Sequence, residues 1–135
     1  MAAAIDFVAL VDEFTNGAKV PVVYDSVGKD TFMGSLDCLQ KRGLMVSFGQ
    51  SSGPIEPFSP SLLQQKGSLF LTRPTLFHYI ASRAELEASA AELFEAVANG
   101  AVHIEVKQRF PLEQASEAHR ALEARATTGS TILTV

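Results

Sequence analysis

The sequence has one cysteine, Cys38, among 135 residues. An intramolecular disulfide is therefore impossible, and a reducing cytoplasm is the expected setting. Positive charge is also scarce: 11 Lys and Arg stand against 15 Asp and Glu, giving a net charge of −4. That excludes general nucleic-acid binding, which needs a basic face. No apolar run approaches the roughly 18 residues of a membrane span, so no membrane partner is expected. The opening stretch from Met1 to Asp6 has no basic n-region and is not read as a signal peptide. Repeats and low-complexity tracts are lacking as well. What the chain has in quantity is apolar side chains, 47% of its residues. That is enough for a core and too much for a disordered tail, and the length suits one domain.

The apolar residues fall into alternating patterns. Phe7, Val8, Leu10, Val11 and Phe14 share a helical face, and Asn16-Gly17 stops it. Val20–Asp25 is short, β-branched and apolar on both parities, the pattern of a strand buried on both faces. After the turn Ser26-Val27-Gly28, a stripe of Phe32, Met33, Leu36 and Leu39 predicts a helix running to Gly43, with Cys38 in its middle as a small core residue. Leu44–Phe48 predicts a second strand. Gly49–Pro60 is rich in breakers and is the one linker candidate. Ser59 or Ser61 is expected to cap a short helix carrying Leu62 and Leu63, and Ser68–Thr72 is the third strand. Strands alternating with helices predict an α/β fold with a parallel sheet.

Ser82 with Glu85 three residues on has the spacing of a capping box, ahead of an apolar stripe of Leu86, Ala90, Leu93, Phe94 and Val97. His103–Lys107 alternates polar and apolar, as a half-wet strand does. Pro111 is expected to open a helix, Gly129 to break it, and Ser130–Val135 to close the chain as a strand.

In this order the segments Val22–Gly28, Ser35–Leu39, Gly43–Gly49, Gln65–Pro74, Glu117–Glu123 and Arg125–Gly129 resemble the zinc-free quinone oxidoreductases of the medium-chain dehydrogenase/reductase superfamily. The resemblance covers roughly residues 6 to 135. It implies a partial Rossmann fold, residues 1–100 being the C-terminal half of a cofactor domain. Residues 101–135 would then carry strands that normally join a catalytic domain. It also implies hydride transfer from NADPH to a quinone. Members of that family begin with a catalytic domain and a glycine-rich turn for the pyrophosphate. No G-x-G-x-x-G occurs here, so the isolated chain is expected to bind NADPH weakly or not at all and to be inactive. A non-catalytic oligomerising remnant and a fragment of an enone or enoyl reductase are the alternatives.

The same resemblance brings forward the residues at strand ends, where ligands bind in doubly wound sheets. Ser26 and Gly28 are implied near the nicotinamide; their plain reading is a tight turn with glycine for backbone freedom. Phe48, Gly49 and Gln50 are implied beneath the nicotinamide ring, or else form an apolar strand end and a breaker. Thr72 and Arg73 end the third strand, and an arginine there either pairs with a phosphate or is solvated. Arg125 is implied to reach the cofactor, or is a basic residue favoured by a helix C-terminus. The histidines His78, His103 and His119 do not pair with Cys38 at metal spacing, so no zinc is expected. No catalytic acid, base or nucleophile stands out. A homo-oligomer is expected, a dimer built on the strand Ser68–Thr72 by resemblance.

Overall fold

A computed structural model describes residues 6–135; the expectation for the opening stretch falls largely on residues 1–5, outside the described part. The chain groups into two compact units, one through Tyr79 and one from Ile80 to Val135.

In the first unit, helix α1 (Phe7–Phe14) starts where the Asp6 side chain accepts from the Ala9 amide. It ends as Asn16 and Gly17 turn left-handed. Strand β1 (Val20–Asp25), helix α2 (Phe32–Asp37), strand β2 (Leu39–Ser47), helix α3 (Ser61–Gln65), strand β3 (Phe70–Thr72) and helix α4 (Leu76–Tyr79) follow. The sheet order is β1-β2-β3, all parallel. Its core is Phe32, Leu36, Leu39, Met45 and Leu69.

Several expectations are corrected here. Strand β1 is not buried on both faces: it is an edge, and Tyr24 is 73% exposed. The helix expected to reach Gly43 ends at Asp37. Leu39 already pairs with Val20, and Cys38 is the helix C-cap, not a mid-helix residue. Apolar residues at Leu36 and Leu39 fit a helical stripe, yet the buried pair spans a helix end and a strand start. Burial, with the neighbouring Asp37 charge, pushes the Cys38 thiol pKa up. The third strand starts at Phe70 because Ser68 takes a left-handed φ of 56°. Gly49–Pro60 is no linker: Gly53 accepts from the Lys29 amide and Phe58 packs on Phe32 with ring centroids 5.1 Å apart. The cap of α3 also differs, since its N-cap is Pro60 and the Ser59 hydroxyl oxygen accepts from the Ser61 amide and hydroxyl.

In the second unit, α5 (Arg83–Ala98) carries the expected capping box. The Ser82 amide and hydroxyl donate to Glu85 Oε2 at 2.8 and 2.9 Å, and the Ser82 hydroxyl accepts from the Glu85 amide at 3.2 Å. Those bonds hold the Glu85 carboxyl below its usual pKa. Of the apolar stripe of α5, Leu86, Leu93, Phe94 and Val97 are exposed and Ala90 is half-buried. Strand β4 is Val106–Pro111, not His103–Lys107; it keeps the alternation, with Val106, Gln108 and Phe110 half-buried. Pro111 ends that strand and N-caps a 3-10 turn (Leu112–Gln114), after which α6 (Ala115–Glu123) leads to β5 (Ser130–Thr134), parallel to β4.

Candidate functional site

The carboxyl ends of β1, β2 and β3 lie level with one another. Asp25 pairs with Ser47, and Val46 pairs with Thr72. The chain leaves β1 through a turn that Asp25 organises. One carboxylate oxygen accepts from the Val27 and Gly28 amides at 2.8 and 2.9 Å. The other accepts from the Thr31 and Ser35 hydroxyls at 2.8 and 2.7 Å. Asp25 is only 4% exposed. Burial on its own would raise its pKa, but the donors from Gly28, Ser35, Thr31 and Val27 outweigh that and hold it below the usual carboxylate range. A carboxylate so committed positions a turn and does not exchange protons near neutrality.

The Asp25 carbonyl also accepts from the Phe48 amide at 2.9 Å and the Gly49 amide at 3.3 Å. Backbone therefore packs directly on backbone where β1 and β2 end. A Cβ on Gly49 would lie 2.3 Å from the Ser26 carbonyl oxygen, and one on Gly28 would lie 2.8 Å from that of Gly53. Only glycine fits at either place. Ser51 and Ser52 amides donate back to Ser26 and Val27 carbonyls, at 3.3 and 2.9 Å. From β3, Arg73 reaches across to the Ser47 and Gly49 carbonyls and Gln50.

Beside these ends lies a cleft of about 810 Å³, with Tyr24, Phe48, Thr72, Arg73, Pro74 and Tyr79 among its walls. Tyr24 and Phe48 meet edge to face, with centroids 6.4 Å apart. Pockets of this size and aromatic character suit planar ligands.

Of the residues singled out in the sequence, Ser26, Gly28, Phe48, Gly49, Gln50, Thr72 and Arg73 come together at these ends. Arg125 belongs to the second unit, where it follows α6 with a left-handed φ of 55° and its amide donates to Leu122. Sequence reasoning missed Asp25, Thr31 and Ser35. Their signal was an aspartate two residues before an amide it can accept from, with hydroxyls one helical turn apart after it. Tyr24 and Tyr79 left no signal beyond being aromatic. Among the described residues, no three His, Cys, Asp or Glu side chains gather as metal ligands, and no helix is long and apolar enough to cross a membrane.

Comparison with known proteins gives the family and the fold. The sequence matches the family described as zinc-binding dehydrogenase over residues 4–133. It is 52% identical over 130 residues to quinone oxidoreductase 1 of Escherichia coli K12, covering 95% of this chain and 40% of that protein. It is 45% identical over 129 residues to a 2-haloacrylate reductase of a Burkholderia species, covering 95% of this chain and 39% of that one. The fold superposes on the crystal structure of E. coli quinone oxidoreductase complexed with NADPH with a TM-score of 0.88 at 51% identity, over 97% of this chain and 41% of that chain. The chain thus spans about two-fifths of the length of these relatives.

Proposed function

The chain belongs to the zinc-binding dehydrogenase family, and from that premise we propose that it is the nicotinamide-facing part of an NADPH-dependent quinone oxidoreductase. The observation that carries the reading is the close packing of Ser26 on Gly49 at the level ends of parallel strands. That crevice is where open α/β sheets take ligands. The residues fit the nicotinamide end of the cofactor: two glycines without room for a Cβ keep the backbone low, and the aromatic cleft lies alongside. They do not fit the pyrophosphate, for which the sequence offers no glycine-rich turn.

Hydride chemistry comes with NADPH when it is bound. The chain's own part is positional. Ser26, Gly28 and the Phe48–Gln50 peptides line the nicotinamide side, and Thr72 and Arg73 close the third strand end. Residues 1–100 are the cofactor-domain half in this reading, and 101–135 the segment that returns to a catalytic domain. The described residues gather no set of three metal ligands, and the roles assigned to them are positional. The isolated chain binds NADPH weakly and does not turn it over, because near-attack geometry needs both walls of the cleft. The setting is cytoplasmic. Two copies associate through the edge of β3, where Phe70 is exposed.

The test is a titration of the 135-residue chain with NADPH and with its reduced nicotinamide mononucleotide half, followed by amide NMR. Shifts should centre on Ser26, Gly28 and Phe48–Gln50 and be alike for both ligands. Micromolar affinity for NADPH alone, or shifts elsewhere, would overturn the reading. NADPH oxidation with a simple quinone should not exceed the protein-free rate. Light scattering checks the dimer: a clean monomer mass would refute it. The similarity to a 2-haloacrylate reductase supports a second acceptor class, an activated alkene, for the same site.

A further inference from the structure

Within a strand, the N–H and C=O of one residue leave on the same side, and successive residues alternate. The Phe48 amide donates toward β1, to the Asp25 carbonyl. The carbonyl of the preceding residue, Ser47, therefore faces β3. Counting on from the Val46–Thr72 pair, the donor that a continued ladder would bring to it is the amide of residue 74. That residue is Pro74, which has no N–H.

The Ser47 carbonyl belongs to a residue only 2% exposed, so leaving it unpaired would be costly. Arg73 fills the gap from its side chain. Its Nη1 donates to the Ser47 carbonyl at 2.6 Å and to the Gly49 carbonyl at 3.2 Å, and Nη2 lies 3.5 Å from Gln50 Oε1.

We propose that Arg73 is a positioning residue whose guanidinium supplies the ladder donor that Pro74 withholds, fixing the Ser47–Gln50 peptides against Ser26. Proline lets the β3 main chain leave the sheet and line the aromatic cleft; arginine keeps the end of β2 closed while it does so. The guanidinium is then committed to main-chain oxygens and is not a phosphate receptor. The proposal rests on the cofactor reading only for why those peptides need a fixed position.

Amide hydrogen exchange on the 135-residue chain, without cofactor, tests it. R73Q should speed exchange of the Phe48 and Gly49 amides about tenfold, the loss of roughly one charged hydrogen bond. R73K should fall between, since a single ammonium does not span two carbonyls as a planar fork does. P74A restores an amide facing Ser47, so in that background R73Q should cost less than about threefold, and the restored amide should itself be protected. If R73Q does not fold, R73K with and without P74A carries the same comparison. Exchange within about twofold of the unsubstituted chain, or equal losses in both backgrounds, would overturn the proposal. So would an Arg73 Nε–H resonance that moves saturably with inorganic phosphate. Micromolar affinity for NADPH alone, or ligand shifts away from Ser26, Gly28 and Phe48–Gln50, would count against the cofactor reading and leave these rates unchanged.

Discussion

The β1–α2–β2 and β4–α6–β5 segments share one connectivity, a strand, a helical return and a parallel strand. They differ in what the helix covers. In the first, α2 lays Phe32 and Leu36 over Leu39 and Met45, all buried. In the second, α6 buries only Ala118, and Leu122 and Leu133 stay exposed. Backbone pairing is satisfied equally in both, so the difference lies in side-chain burial. A parallel sheet ordinarily has both faces covered. The first segment approaches that condition on one face, and the second does not.

The largest expected effect sets the two helices against each other. Leu36→Ala should cost about 2–5 kcal/mol of stability, as buried leucines do. Leu122→Ala, on the matching helix, should cost no more than about 0.5 kcal/mol. Urea titration followed by far-UV circular dichroism measures both, and equal losses would break the comparison.

Asp25→Asn sharpens it further, by about 1–3 kcal/mol, since one of the two oxygens becomes an NH2 group and two of the four donors lose their acceptor. The folded-state pKa of Asp25 is depressed. Its contribution is therefore complete above the ordinary carboxylate range and is lost as pH falls through the depressed value. The variant should show a flatter acid limb in a stability–pH profile. An unchanged limb would assign that limb to other carboxylates.

Gly49→Ala should cost about 1–3 kcal/mol through overpacking against Ser26. Amide shifts at Ser26 and Ser51 should move with it. Unmoved shifts would mean the loop yields easily. A local effect belongs to the second unit: Ser82→Ala should cost about 1 kcal/mol of helix stability, read as faster exchange at the first turn of α5.

The sequence announced what depends on local chemistry. The capping box at Ser82, the stop at Asn16-Gly17 and the parallel α/β order were all legible, because caps, left-handed glycines and apolar alternation act within a few residues. So were the strand-end residues Ser26, Phe48, Gly49 and Arg73, through the family resemblance. What misled was apolar content without context. Val20–Asp25 is as apolar as a central strand, but among the described residues it has a strand partner on one side only. Leu39 fits a helical stripe and a strand equally well. The four donors to Asp25 all lie within ten residues of it, so that turn left a local signal that apolar patterning does not read. The reach of Arg73 to Ser47 spans 26 residues and cannot be seen in a local window.

Where β1 and β2 begin, Val20 pairs with Leu39 and Val22 with Leu44. β1 advances two residues while β2 advances five. The three surplus residues are taken up around Arg42, which is left-handed at φ 63° and donates its amide to the Gly67 carbonyl at 2.8 Å. From Val22 onward the pairing runs without a slip to Asp25 and Ser47. The sheet thus carries an expansion joint at its amino-terminal rim. A residue gained or lost at Gln40 or Lys41, both exposed, would be absorbed there, and the ligand-facing rim would keep its alignment. Length variation in this part of the chain is mechanically insulated from the site.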